Sequence, residues 1–384
     1  SFGTLVGIGG SIWLSMCLGQ KNEKRASQIL YNSFVMLVVL SVCLTLGFIL
    51  LKHNLIYWFG GSDALYPYAN TYLTIYTLGT FFALMSIGLN YFITGQGYAT
   101  IAMLSVCIGA ITNIIFDFIL IHTLKIGVAG AAIGTVVAQF LSCMFVLCFL
   151  RFKSKIKLRK EDLSIEKMKH IVKLGFSPFL IIASDSIILI VMNMMLQKYG
   201  GNMGDIYISA ITVAQSYFLL ITGPLLGISS GTQPIFAYHF GSQNLKKIKE
   251  AFKIVISFAF LFCLVMFIIS MCYSNVFVAM FTNNTMTMPI ADRAIKIFCL
   301  GILMMSIQYV LVDGITGLSN VKLSLFLSLN RKMMYLCCTC LLPAFLGVSN
   351  IFYAQPIADI YASIVTIICF IKIIPSYLKS HGVK

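Results

Sequence analysis

Six ionisable side chains stand inside stretches otherwise built of apolar residues: Asp117, Asp185, Asp313, Arg331, Lys332 and Asp359. Such a group is costly to bury in an apolar span, and it usually faces a protein interior or a cavity. Asp117 follows Asn113 by four residues, so carboxylate and amide share one helix face. That pair of hard oxygens suits Na+. The same Asp, if buried, suits proton exchange, and a structural hydrogen bond near the outer interface is the plainer alternative. Asp185 lies seven residues after Pro178 and eight before Asn193. Proline frees a carbonyl one turn back, so a helix break beside a carboxylate forms a second candidate Na+ site. Gln355 and Asp359 share a face around Pro356, while Gln139 and Gln215 are neutral polar groups within spans. These eight residues, Asp117, Asn113, Asp185, Asn193, Asp359, Gln355, Gln139 and Gln215, are the expected ion-coupling and substrate-cavity set. Arg331 requires a carboxylate partner, with Asp359 and Asp313 as candidates, in a structural ion pair or a gate. Asp313 alternatively pairs with Lys322 or snorkels to the interface.

Other chemistries lack their residues. There is no Ser/His/Asp arrangement and no HExxH, and the short "GQG" and "GIGG" stretches lack the strand that a nucleotide loop follows. Cys337, Cys338 and Cys340 cluster without a histidine, inside an apolar run, and the 12 Cys behave as small apolar residues. The expectation is therefore no enzyme and no cofactor, with energy taken from an ion gradient and Na+ at Asp117 or Asp185 as the candidate metal.

The elements that must position these groups are membrane helices. Of 384 residues 59% are hydrophobic and 10% charged, with mean hydropathy +0.94. About 20 apolar residues span a bilayer as a helix. Eleven such runs are legible: about 1–19, 29–51, 71–94, 99–121, 127–150, 171–197, 206–236, 251–273, 294–317, 323–345 and 349–374. Segments 53–70 and 276–290 read as interfacial stretches. Most of the 27 Lys and Arg fall in alternate loops, around 21–25, 151–173, 246–253, 322 and 372–384. Excess Lys and Arg marks the cytoplasmic side, so the C-terminus is expected inside, Ser1 outside, and the net charge of +15 sets orientation rather than nucleic-acid binding. No cleavable signal is visible, since the start lacks a positive region.

A shift of 222 residues aligns the halves: Gly9 falls on Gly231, Gly19 on Gly241, Asn22 on Asn244, and Thr94–Gly95 on Thr316–Gly317. A shift of 220 places Gly127–Val128 on Gly347–Val348 and Ala138 on Ala358. Two copies in the same orientation are related by an axis along the membrane normal, an arrangement used by transporters that rock two lobes about a central site. The expected organisation is a five-helix lobe over 1–150, a cytoplasmic linker helix over 151–170 and a six-helix lobe over 171–384. The first helix of the first copy is expected to be missing from this chain.

Three stretches, "GISSGTQPIFAYHFGSQNLKKIKE" at 227–250, "NIIFDFILI" with "IGVAGAAIGTVVAQ" at 113–139, and "FYAQPIAD" at 352–359, resemble the multidrug and toxic compound extrusion (MATE) transporters, in the bacterial drug-export branch. His239 stands where Asn is common, and Phe118 where Pro is usual. The resemblance implies twelve helices in two lobes and a monomer in the bacterial cell membrane. It implies export of cationic amphipathic compounds by alternating access, driven by inward Na+ or H+. In many members an Asp of the first helix binds the coupling ion, and that helix is the one expected to be missing from this chain. The rival expectations are a lipid-linked saccharide flippase of the same superfamily, or an inactive truncated remnant.

Overall fold

Apolar runs without water must satisfy every backbone N–H and C=O internally, which leaves helices as the available form. The computed structural model describes residues 2–58, 66–282 and 284–382, apart from the side chains of residues 183, 186, 202 and 205. The described residues fold into α1 (Phe2–Gly19), α2 (Glu23–Trp58), α3 (Tyr66–Leu78), α4 (Thr80–Gly95), α5 (Ala99–Asp117), α6 (Val128–Cys148) and α7 (Ile165–Gly200). They continue as α8 (Gly204–Gly241), α9 (Leu245–Phe281), α10 (Thr287–Cys299), α11 (Ile302–Gly317), α12 (Val321–Leu346) and α13 (Ala354–Ser380). Among the described residues nine helices are long and apolar enough to cross a membrane, or eleven when each of two bent pairs counts as one span. Large apolar side chains such as Leu50, Ile114 and Phe345 are exposed, as a lipid-facing surface requires. By contrast α1, apolar on all sides, is buried along almost its whole length.

Two of the eleven expected spans differ from straight helices. α3 and α4 meet at 50°, as do α10 and α11. The breaks fall at Gly79 and Gly301, 222 residues apart. A side chain at Gly79 would run into Val136, and one at Gly301 into Pro356, positions 220 apart. Both kinks thus press a bare backbone against the same place on a neighbouring helix. The interfacial reading of 53–70 is replaced at its ends by α2 and α3, and residues 59–65 lie outside those described. In 276–290, α9 continues to Phe281 and α10 starts at Thr287, with residue 283 also outside those described.

The caps repeat as well. Asn22 accepts from the Arg25 N–H at 3.0 Å and Asn244 from the Lys247 N–H at 3.0 Å, each opening the next helix. Left-handed residues close the preceding turns in pairs: Lys21 (φ 58) with Gln243 (φ 56), Gly97 (φ 89) with Ser319 (φ 63), and Gly127 (φ 68) with Gly347 (φ 90). The duplication read from spacing is therefore present in the backbone itself.

The chain divides into two compact units, Ser1–Phe179 and Leu180–Lys384. The boundary lies within α7, one residue past Pro178, and that helix runs through the proline unbroken. The expected linker helix over 151–170 is corrected by the structure. A π-turn covers Phe149–Lys153, residues 154–164 are not helical, and α7 begins at Ile165. Like charges four apart (Lys153 with Lys157, Lys155 with Arg159) oppose a helix here. Two amide side chains then capture the backbone. Gln96 accepts from the Ile156 N–H at 2.7 Å and donates to its carbonyl at 3.3 Å. Asn32 accepts from the Ser164 N–H at 2.9 Å and donates to the Asp162 carbonyl at 3.0 Å.

α1 packs on the start of α7 through Gly9 and Gly175, where the backbones touch: a β-carbon on Gly175 would overlap the Leu5 carbonyl. Small residues permit this approach in membrane helices. Gly175→Ala is expected to force the helices apart and cost about 4 kcal/mol or more, read as loss of the monodisperse peak after detergent extraction. An unchanged melting temperature would refute the contact.

Candidate functional site

In the first unit α4, α5 and α6 line an open cavity of about 470 Å³. Asn90, Tyr91, Asn113, Thr135, Gln139 and Ser142 supply its polar groups, and Ile87, Val106, Ala110 and Ala138 its apolar wall. Several polar groups are fixed. Asn90 donates to the Ala102 carbonyl at 2.9 Å and to the Ser105 hydroxyl, and Ser142 donates to the Ser105 carbonyl at 2.9 Å. Asn113 donates to the Thr135 hydroxyl at 3.4 Å. The Gln139 Oε1 is buried with no hydrogen-bond partner among the described residues. An unsatisfied buried acceptor costs about 1–3 kcal/mol, and this one belongs to a residue that lines the cavity. Apolar walls with a few fixed polar groups form the usual setting for a small-molecule site.

Asp117 is the last residue of α5, one turn beyond Asn113. Its Oδ1 is buried without a partner and lies against Gly134 of α6, where a side chain would collide with it. Asp117 is not among the lining residues of the cavity, so Asn113 and Asp117 share a face while only Asn113 reaches the cavity.

In the second unit the charged groups pair with one another. Arg331 Nη1 of α12 donates to Asp359 Oδ1 of α13 at 2.6 Å, and its Nη2 donates to the Tyr309 hydroxyl of α11 at 3.2 Å. Gln355 donates to the other Asp359 oxygen at 2.8 Å. The Asp359 side chain is 0% exposed and Arg331 11%. The second candidate partner of Arg331 is thereby corrected. Asp313 accepts from Gln233 of α8 at 2.8 Å and pairs with neither Arg331 nor Lys322. It sits one turn beyond Tyr309 on α11, against α8 instead of α12 and α13.

Asp185 is also placed differently from its expected cation site. It forms an ion pair with the buried Lys332 of α12, so an ammonium stands where a metal ion was expected. Asn193, eight residues on, lies about 12 Å further along α7 at 1.5 Å per residue, too far to complete a common ion shell. Gln215 donates to the Met192 sulfur at 3.6 Å, beside Asn193 in sequence, and the Tyr335 hydroxyl of α12 donates to the same sulfur at 3.8 Å.

The two sites occupy equivalent places in the two copies. Shifts of 222 and 220 carry Ile87 onto Tyr309, Gly109 onto Arg331, Ala110 onto Lys332, Thr135 onto Gln355 and Gln139 onto Asp359. Where the second copy holds a guanidinium, the first has a glycine; where the second holds its acid, the first has an amide. Gly109 and Gln139, which line the cavity of the first unit, thus correspond in the repeat to Arg331 and Asp359.

The MatE family model matches residues 1–119 and 182–335. The chain belongs to the MatE family. Multidrug export protein MepA of Staphylococcus haemolyticus is 24% identical over 94% of this chain and 79% of its own length. MepA of Staphylococcus aureus is 22% identical, over 93% and 79%. Among solved structures, a multidrug resistance MATE family transporter in an outward-facing conformation superposes with TM-score 0.92 at 22% identity, covering 99% of this chain and 85% of that one. A MOP superfamily transporter from Pyrococcus furiosus gives TM-score 0.92 at 21% identity, over 98% and 85%. As a MatE protein this chain is a membrane-spanning member of a transporter family. Reading the sequence alone missed Tyr309 and the partners of Lys332 and Asp313. It also missed the Asn90 contribution to the cavity. The repeat offset linking Gln139 to Asp359 was the available signal for the paired sites.

Proposed function

We propose that this protein exports cationic amphipathic compounds in exchange for Na+ or H+, with substrate held in the cavity of the first unit. One observation carries the reading: a roomy, apolar-walled cavity whose buried amide oxygen at Gln139 lacks a donor. An N–H-bearing organic cation supplies that donor, and the Tyr91 ring offers a face for the charge. Relatives named for multidrug export support the same substrate class. Asp117 is the coupling group on this reading, its unpartnered carboxylate oxygen being one turn from the cavity residue Asn113. The flippase reading is disfavoured because Arg331 and Lys332, the buried cations suited to a pyrophosphate, are each neutralised by a carboxylate. Following the loop charges, the protein sits in the bacterial cell membrane with a cytoplasmic C-terminus.

Gln139→Leu removes the unpaired acceptor while keeping the volume. Efflux of ethidium from cells is expected to fall about tenfold or more, the worth of a hydrogen bond to a charged group, at unchanged membrane level. Full efflux by this variant would overturn the assignment.

A further inference from the structure

We propose that a basic cleft in the first unit, separate from the cavity above, holds the phosphate of an anionic phospholipid headgroup. The cleft, of about 320 Å³, lies between Trp13 of α1, Arg25 of α2 and the opening turns of α7, which contribute Lys167, Lys169, His170 and Lys173 beside the single acid Glu166. Two of its cations, Arg25 and Lys167, are held by uncharged partners. Arg25 lies over the Trp13 ring at 5.1 Å, and the Trp13 and His170 rings meet with centroids 4.4 Å apart, tilted by 51°. Lys167 donates to the neutral Gln28 at 2.6 Å. Among the described residues no carboxylate forms an ion pair with Arg25, Lys169 or Lys173, whereas the nearby Lys155 and the distant Lys247 each have a Glu.

Uncompensated cations gathered in one cleft call for an anion, and the three of Arg25, Lys169 and Lys173 suit a phosphate. The same helix face indicates what the phosphate is attached to. Lys169, Val172, Lys173 and Phe176 recur at helical spacing, and all four are exposed. Two ammonium groups therefore stand one turn from two exposed apolar side chains on a helix that is long and apolar enough to cross a membrane. A ligand filling this face meets charge at one end and hydrocarbon at the other. That is the chemistry of a lipid phosphodiester with its acyl chains, and basic pockets between membrane helices take such headgroups. A zwitterionic lipid brings no net charge to compensate, and a free phosphate leaves Val172 and Phe176 uncovered. Bound there, the headgroup ties α2 to α7 two residues before the Gly175 contact.

The test uses the full chain, purified in detergent free of anionic lipid, with the thermal unfolding midpoint followed during titration. The probes are dihexanoyl phosphatidylglycerol, dihexanoyl phosphatidylcholine and inorganic phosphate. Phosphatidylglycerol is expected to raise the midpoint at concentrations where the other two do not. Lys169→Ala combined with Lys173→Ala should raise its half-saturating concentration about thirty-fold, two basic contacts' worth. Lys246→Ala with Lys249→Ala, equal in charge loss but outside the cleft, should leave it unchanged. Equal stabilisation by inorganic phosphate would assign the cleft to free anions and overturn the lipid proposal. Equal stabilisation by phosphatidylcholine, or a titration indifferent to the Lys169/Lys173 substitutions, would overturn the site itself.

Discussion

Asp359→Ala is expected to destabilise the protein by about 3–5 kcal/mol, the cost of stranding a buried cation. Arg331 is 11% exposed and its carboxylate partner 0% exposed, so water cannot replace the lost oxygen. The variant also frees the Gln355 amide, which donates to the same carboxylate at 2.8 Å. The Tyr309 hydroxyl remains as a neutral acceptor at 3.2 Å, too little to carry the charge. The expected result is loss of most folded protein after extraction, read by size-exclusion chromatography and by the unfolding midpoint. Removing both charges should behave otherwise, because a buried pair replaced by apolar groups of similar volume is often neutral. Arg331→Met with Asp359→Leu is thus expected to fold near the wild-type midpoint. A single variant as stable as the double would show that the pair is not buried as described.

The second large effect is on transport. Gly109→Arg combined with Gln139→Asp transplants the ion pair of the second copy into the equivalent place of the first. Gly109 has room for a side chain: a β-carbon there meets only Ser142 and Ala138 at 3.5 Å or more. The new guanidinium would enter the cavity and meet a carboxylate at the position corresponding to Asp359. The double variant is expected to fold and reach the membrane, yet lose ethidium export down to the background of cells without the protein. Retained export would place the substrate elsewhere. Gly109→Arg alone, with no acid to meet it, should be the less stable of the two.

Much of this was legible before the structure, for identifiable reasons. Apolar length set the number of spans, since backbone satisfaction in lipid leaves little choice of form. The repeat was legible because caps and turns use small sets of residues, as at Asn22 and Asn244. The bends at Gly79 and Gly301 were not, because membrane helices also tolerate glycine without bending, and the cause is a neighbouring helix rather than local preference. The linker departed from helix because Gln96 and Asn32, distant in sequence, capture its backbone. Asp185 looked like a cation ligand from its own helix alone. Its partner Lys332 is 147 residues away, a separation no local pattern spans. Arg331 with Asp359 was within reach because both break an apolar run within two consecutive helices.

The coupled exchange itself is tested most directly in proteoliposomes of purified protein carrying an imposed inward Na+ or proton gradient, with ethidium movement and ion flux recorded together. The account predicts that one of the two gradients drives ethidium uphill, that adding ethidium accelerates dissipation of that gradient, and that Asp117→Asn abolishes both while leaving ethidium binding intact. Ethidium movement indifferent to either gradient, or a gradient that Asp117→Asn spends as readily as the wild type, would contradict it.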